Sequence, residues 1–107
     1  MVSMLVDEVF KALADASRRE LLDRLRAKNG QTLIELREGL KMSRQAVTKH
    51  LLILEEADLV ITKWQGREKL HYLNAMPIHE IASRWISKYE HVKLEAIGDL
   101  KKNLEKK

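Results

Sequence analysis

The segment SRQAVTKHL, residues 43–51, combines polar and basic side chains with apolar ones at helical spacing. At about 100° per residue, Val47 and Leu51 fall on one face of a helix, whereas Gln45, Thr48 and Lys49 lie towards the opposite face. Amide, hydroxyl and ammonium groups donate hydrogen bonds, and the ammonium group also attracts anions. The pattern therefore predicts an amphipathic helix that packs through one face and leaves a polar face free to meet a partner.

Positive charge is concentrated in this segment and in one other part of the chain. The stretch 41–49 contains three cations and no acidic residue, and three more cations surround a glycine further along. The two groups are Lys41, Arg44 and Lys49, and Lys63, Arg67 and Lys69. The whole chain has 20 Lys and Arg against 16 Asp and Glu, a net charge of +4. This distribution favours an anionic partner, although charge at a hairpin tip also serves solubility.

Length and composition exclude several classes of protein. A chain of 107 residues predicts one domain with its own core, and the absence of cysteine excludes disulfides and thiolate metal sites. No apolar run approaches the roughly 18 to 20 residues needed to cross a bilayer, so we expect a cytoplasmic protein that does not enter a membrane. The sequence offers no glycine-rich phosphate loop and no His–Glu pair at metal spacing. We therefore expect neither an enzyme nor a bound cofactor.

Two helices are predicted in the first thirty residues. Apolar residues recur at helical spacing over 4–13, which indicates the first helix. Ser17 and Glu20 have the spacing of a capping box and predict the start of the second. Asn29-Gly30 offers a left-handed residue that would end it.

A third and a fourth helix follow almost without a break. Thr32 and Glu35 repeat the capping-box spacing, and Gly39 stands near the end of the third helix, whose buried side we expect to be Leu33, Leu36 and Leu40. Ser43 is the natural N-cap of the fourth helix, and only two residues separate it from Leu40. The two helices must therefore cross steeply, as in a helix-turn-helix. On the fourth helix Leu52 is an anomaly, because it falls on the polar side; it either packs under the following hairpin or stays partly exposed.

The period changes after Leu59. Val60 to Trp64 and Leu70 to Leu73 are rich in β-forming residues, and Gly66 between them predicts a hairpin with the glycine at its tip. Beyond Pro77, apolar residues step by three or four as far as Leu104, which predicts a long final helix at about 77–105. The fold class is mostly α with a small β-hairpin.

The segments "ALADASRRELLDRL" and "SRQAVTKHLLILEEADLV", followed by the "GRE" turn, resemble the ArsR family of bacterial repressors over about Val9 to Leu73. The resemblance implies a winged helix-turn-helix that binds double-stranded DNA as a homodimer through an inverted-repeat operator. It also implies that the fourth helix enters the major groove, that the hairpin is a wing beside the backbone, and that the first and last helices pair two subunits.

The resemblance places a set of side chains on DNA. Gln45 would read adenine, Arg44 would bind guanine or a phosphate, and Thr48 would touch a thymine methyl. His50 matches the histidine of the family motif but lies at the side of the helix, so a phosphate contact or a structural hydrogen bond is an equal alternative to a base contact. The predicted DNA-binding set is Ser43, Arg44, Gln45, Thr48, Lys49, His50, Lys41, Lys63 and Arg67.

Other surfaces have competing interpretations. The predicted dimer interface is Leu5, Val9, Trp85, Tyr89, Val92 and Ile97. Three aromatic residues at strand or helical spacing have two interpretations. They could line an effector pocket, but we expect them to pack in the core or in the dimer interface; they are Trp64, Trp85 and Tyr89. The sequence does not identify a small-molecule effector. The main alternative function is a winged helix that binds protein and not DNA, because one fold serves many functions.

The metal sites of the family find no match in the sequence. The stretch "TLIELREGL" occupies the place of the cysteine site on the third helix. Near the C-terminus, His79 and His91 have a spacing close to that of a second family site, but Pro77 and Leu94 stand where two further ligands belong. We therefore expect no bound metal.

Overall fold

A computed structural model describes residues 2–89 and 94–105, including all their side chains except those of residues 2–5, 87 and 94. Four helices precede a two-stranded antiparallel hairpin, and further helical segments follow it. The helices are α1 (Val2–Leu13), α2 (Ala16–Ala27), α3 (Leu33–Arg37), α4 (Arg44–Glu56), α5 (Met76–Ile81), α6 (Ser87–Tyr89) and α7 (Leu94–Glu105), and the strands are β1 (Val60–Gln65) and β2 (Glu68–Leu73). Within the described ranges, no helix is sufficiently long and apolar to span a membrane.

The core lies where α1, α2, α3 and α4 meet the base of the hairpin. Leucines from successive elements fill it and have essentially no exposed surface: Leu21, Leu25, Leu36, Leu51, Leu54 and Leu59. The predicted inward face of α4 is confirmed, because Val47, Leu51 and Leu54 are all buried. Burying a leucine contributes about 1.5–3 kcal/mol, so this face determines how α4 is seated.

The start of α2 differs from the prediction. Ser17 is not the N-cap; Asp15 is, and its carboxylate accepts hydrogen bonds from the backbone N–H groups of Ser17 at 2.8 Å and Arg18 at 3.1 Å. A carboxylate two residues earlier satisfies two of the free N–H groups and interacts favourably with the helix dipole, so the helix begins at Ala16. Glu20 then lies 3.7 Å from Arg24 as an i, i+4 ion pair.

The boundaries of the next helices agree better with expectation. Thr32 and Glu35 form the predicted capping box, which holds the pKa of Glu35 below its ordinary value through the hydrogen bond from the Thr32 backbone. Leu36 is fully buried, while Leu33 and Leu40 pack against the core with partial exposure. Gly30 has the expected positive φ of 77°, but α2 has already ended at Ala27.

The hairpin is attached to the body through the segment before α3. Its register pairs Thr62 with His71, and Gly66 is at the turn with a φ of 64°. The backbone N–H of His71 donates to the Gln31 carbonyl at 2.8 Å, and the Gly30 N–H donates to the His71 carbonyl at 2.9 Å. These bonds extend the sheet by a short bridge and fix the direction of the hairpin relative to the helices.

The predicted long final helix is interrupted. A π-helical segment, Ala82–Ile86, follows α5, and α6 continues to Tyr89. The wider turn of a π segment rotates the residues after it around the helix axis, which a regular apolar period does not reveal. The second half of the predicted helix is α7, and residues 90–93 between the halves lie outside the described residues.

The Asp15 cap generates a stability prediction. Replacement by alanine should lower the free energy of unfolding at neutral pH by about 1 kcal/mol, measured by denaturant titration. Asp15→Asn should keep much of the cap but lose the charge.

The pH dependence distinguishes the carboxylate from a neutral cap. The hydrogen bond from the Arg18 backbone, with the nearby charge of the Arg18 side chain, lowers the pKa of Asp15. Its stabilising effect is therefore complete above the unfolded pKa of about 3.9 and is lost as the pH falls through the lower folded pKa. The stability difference between wild type and Asp15→Asn should shrink below about pH 4. A difference that stays constant down to that range would contradict this explanation.

Candidate nucleic-acid interface

The connection between α3 and α4 is held by arginine side chains that bind its carbonyl groups. Arg24 on α2 donates to the carbonyls of Leu36, at 3.2 Å, and of Glu38. Arg37 donates through Nε to the Met42 carbonyl at 3.1 Å. Gly39 makes the turn with a φ of 80°, a conformation that side chains disfavour. The chain is thus fixed immediately before α4, which sets the direction of that helix.

The first turns of α4 present an exposed polar surface. Ser43 caps the helix by accepting a hydrogen bond from the Ala46 N–H at 3.1 Å. Arg44, Gln45, Thr48 and Lys49 are exposed, and Gln45 and Lys49 lie on the side opposite the buried Val47, Leu51 and Leu54. The Thr48 hydroxyl donates to the Arg44 carbonyl at 2.8 Å, which leaves its methyl group as the part able to make an apolar contact.

Among the described side chains, the cations of this region have no carboxylate partner. The ion pairs between described residues involve other cations. Five of the predicted DNA-binding residues are cations that form no ion pair with a described residue: Lys41, Arg44, Lys49, Lys63 and Arg67. Unpaired, exposed cations can bind phosphate without first breaking an ion pair. The region therefore has the electrostatic character of an anion-binding surface.

The hairpin carries its two predicted cations in different positions. Arg67 is exposed at the turn, beyond the end of the paired strands. Lys63 alternates with Trp64 along β1, so it lies on the other face of the hairpin from Trp64 and its cross-strand neighbour Lys69. Lys69 is 3.6 Å from Glu55 of α4, an ion pair that links the hairpin to the helix. The structure thus groups Arg67 with the α4 surface, and it does not group Lys63 with it.

His50 has a structural partner that the residue pattern alone did not reveal. Arg18 Nη1 lies 3.3 Å from His50 Nδ1, and Arg18 also donates to the carbonyls of Ala12 at 2.9 Å and Lys11 at 3.0 Å. Because arginine can only donate, Nδ1 of His50 accepts, and the neutral ring carries its proton on Nε2. Arg18 therefore ties the end of α1 to α4. Arg19, the next residue along the chain, likewise donates to the Leu13 carbonyl at 2.7 Å.

The structure shows how far two apolar side chains on this side of the molecule, Trp64 and Leu52, are buried. Trp64 is not a core residue, since 66% of its surface is exposed. Leu52 is 54% exposed and is not covered by the hairpin. Both side chains stand on the surface because the core between α4 and the hairpin base is already filled by Leu51, Leu54 and Leu59.

The predicted interface residues have varied environments in a single subunit. Val9 is 2% exposed in the subunit's own core, so its side chain is not on the surface. Trp85 is half-buried and meets Phe10 edge to face, with ring centroids 5.9 Å apart. Tyr89 and Ile97 are exposed. The side chain of Leu5 and the whole of Val92 lie outside the described residues.

The histidines considered as metal ligands are not joined into a site by the part of the chain that is described. His79 is exposed on α5, and His91 lies outside the described residues. Within ranges 2–89 and 94–105, no group of three or more His, Asp or Glu side chains is placed to hold a metal ion.

Comparison with known proteins identifies the family. Residues 13–62 match the helix-turn-helix domain model. The chain is 40% identical over 86 residues to the uncharacterized HTH-type transcriptional regulator YuzN of Bacillus subtilis, covering 75% of this chain and 94% of that protein. It is 28% identical over 75 residues to the transcriptional repressor SdpR of Bacillus subtilis, covering 70% of this chain and 82% of that one.

Solved structures agree with the sequence matches. An ArsR-like transcriptional regulator from Rhodococcus sp. RHA1 superposes with a TM-score of 0.70 at 29% identity, covering 92% of this chain and 93% of that one. On this evidence the chain belongs to the ArsR family of winged helix-turn-helix transcriptional regulators.

Proposed function

We propose that this regulator represses transcription by binding an inverted-repeat operator as a homodimer, with α4 in the major groove. The observation that carries the proposal is the α4 surface itself. It combines exposed hydrogen-bonding side chains, unpaired cations and no carboxylate between residues 41 and 49. Repression is favoured by the similarity to SdpR, whose name describes it as a repressor.

The dimensions and chemistry of α4 suit a major groove. An α-helix with side chains is about 10–12 Å across, and the groove is about 12 Å wide. Gln45 can bond both acceptor and donor of adenine, and Arg44 can bond guanine or a phosphate. Thr48, with its hydroxyl bonded inside the helix, offers its methyl group to a thymine methyl. These contacts would supply sequence preference.

Phosphate contacts would come from the surrounding groups. Lys41 and Lys49 flank the reading side chains, and Arg67 extends from the hairpin turn. His50 can donate from Nε2 while Nδ1 stays with Arg18. Ser43 stands at the N-terminus of α4, where the helix dipole favours an anion. Lys63 lies on the far face of the hairpin, so we expect it to contribute least.

A homodimer is supported by apolar surface near the α1–α5 contact. Phe10, Ile86 and Tyr89 each expose about half or more of their surface, next to the half-buried Trp85. A single recognition helix covers only a few base pairs, and two related by a two-fold axis would read half-sites roughly 34–36 Å apart. In this proposal the terminal helices, including the segment 77–105, form the pairing surface.

Substitutions on α4 should separate base-specific contacts from electrostatic attraction to the phosphates. Gln45→Ala should relax base preference at one position of each half-site, with a discrimination loss of about 1–3 kcal/mol. Lys49→Ala should weaken binding to all sequences alike. Selection of bound fragments from random DNA, followed by gel shifts on the selected site, measures both effects.

The salt dependence is a second readout of the same variants. Lys49→Ala should reduce the slope of log K against log salt by about two for a dimer, roughly one for the phosphate that Lys49 neutralises in each subunit. Arg26→Ala removes the same charge from the exposed side of α2 and should leave the slope unchanged. A binding constant that hardly responds to salt would instead favour the protein-binding alternative.

A charge placed in the proposed pairing surface should dissociate the subunits. Tyr89→Glu should convert the dimer to a monomer in sedimentation and weaken operator binding at least tenfold, because a carboxylate would be buried without a partner. Ile61→Glu, on the exposed hairpin face, is the control and should remain dimeric. Wild-type protein that sediments as a monomer at micromolar concentration would contradict the dimer.

A further inference from the structure

A cleft of about 410 Å³ lies between α4, the N-terminal end of α3 and the hairpin. Its walls include Leu33, Ile34, Leu51 and Trp64. Ile34 is 71% exposed and Trp64 66% exposed, an unusual amount of apolar surface on a face that otherwise carries charge. The volume is within the range of small-molecule sites, about 300–1,000 Å³.

The rim of the cleft is biased towards cations. Arg44, Arg67 and Lys69 line it together with Glu55 and Glu68. Glu55 is paired with Lys69 at 3.6 Å, whereas the two arginines and Glu68 form no ion pair with a described residue, which leaves two unpaired cations against one unpaired carboxylate. The two free guanidinium groups are suited to a carboxylate, which they can bind through paired hydrogen bonds.

The floor of the cleft carries a polar atom that is available to a ligand. His71 is 3% exposed and lines the cleft. Its Nδ1 is 2.9 Å from the Gln31 carbonyl, which can only accept, so Nδ1 carries the proton and Nε2 of the neutral ring is an acceptor. Nε2 has no hydrogen-bond partner among the described residues, and none of their unpartnered polar side-chain atoms is fully enclosed. The atom therefore keeps some exposed surface, and His71 is one of the residues that line the cleft.

We infer that this cleft binds a small aromatic hydroxy acid, with its carboxylate on Arg44 and Arg67, its ring between Ile34 and Trp64, and its hydroxyl donated to His71 Nε2. Each part of this ligand matches one lining group: anion with guanidinium, flat apolar ring with apolar wall, and donor with the unpartnered acceptor. The chemistry of the three groups together is more selective than an apolar groove alone.

The cleft has a regulatory consequence that rests on the proposed function. Arg44 and Arg67 are also proposed DNA contacts, and Thr48 lines both the cleft and the reading surface. A ligand that holds these arginines would compete directly with DNA. Ligand binding would thus release the operator without any change at the dimer interface.

The test uses the 107-residue chain and three related probes in isothermal titration calorimetry. They are a hydroxynaphthoate with its hydroxyl and carboxylate at opposite ends, naphthoate, which lacks the hydroxyl, and naphthol, which lacks the carboxylate. Hydroxynaphthoate should bind most tightly; naphthol should bind about tenfold more weakly, and naphthoate severalfold more weakly. The Trp64 indole signal, assigned with Trp64→Phe, should shift in NMR spectra on binding.

Variants locate the site. Ile34→Glu places a carboxylate in the cleft at an exposed position and should weaken hydroxynaphthoate binding more than tenfold. Leu52→Glu makes the same change on the exposed surface of α4 outside the cleft, and its affinity should stay within about twofold. Arg67→Gln should remove most of the preference for hydroxynaphthoate over naphthol. Thermal unfolding of each variant checks that the fold is kept.

Three results would overturn the inference: no saturable binding of hydroxynaphthoate up to about 1 mM, equal affinity for hydroxynaphthoate and naphthol, or equal effects of Ile34→Glu and Leu52→Glu. These measurements contain no DNA, so they do not depend on the proposed function. Release of bound DNA by hydroxynaphthoate in a gel shift supports competition. Saturable binding by a protein that fails to retain any DNA would refute the proposed function and leave the ligand site standing.

Discussion

The seating of α4 is the constraint on which the rest of the molecule depends. Val47, Leu51 and Leu54 are buried among the leucines of α2 and α3, and this packing fixes the rotation of α4 about its own axis. Because a helix repeats every 3.6 residues, burying those positions necessarily turns Gln45, Thr48 and Lys49 outward. A rotation that exposed the polar face differently would remove leucines from the core, at a cost of about 1.5–3 kcal/mol for each.

Packing in the core sets the rotation of α4, and hydrogen bonds from arginine side chains fix its direction. Arg24 and Arg37 hold the carbonyls of the turn before α4, and Arg18 joins the end of α1 to His50 on α4 itself. Arginine suits these positions because its planar group donates to several acceptors at once. Arg18, in the segment that resembles the family, thus has a structural role. It connects the first helix, where we propose that subunits pair, with the helix that we propose reads DNA.

The register of the hairpin decides which of its side chains face α4. Its strands alternate, so Trp64, Lys69 and His71 share the face towards α4, while Lys63 and Leu70 share the other. The bonds between His71 and Gln31 hold that first face over α4 and create the cleft between them. The same geometry that places Arg67 beside the exposed polar surface of α4 therefore also produces the ligand site that we infer.

Much of this architecture was predictable because it depends on local signals. The Thr32–Glu35 capping box, the Ser43 cap, the apolar period of α4 and the glycine at the hairpin tip all act within a few residues, and each was confirmed. The predicted start of α2 was wrong because two residues that can cap a helix, Asp15 and Ser17, stand two positions apart. Asp15 prevailed over Ser17, since a carboxylate can accept from two backbone N–H groups near a positive helix end.

By itself the sequence determined the order of the elements, the face of α4 that is buried and the cations that surround the polar face, since periodicity and charge are properties of neighbouring residues. Only the tertiary structure decided which distant residues meet. Arg18 contacts His50 across 32 positions, and His71 contacts Gln31 across 40, and neither pairing has a local signal. The position of Trp64 was likewise decided by the tertiary structure, whereas its aromatic character suggested the core or the dimer interface. Whether an apolar side chain is buried depends on the space left by other elements, and leucines had already filled it.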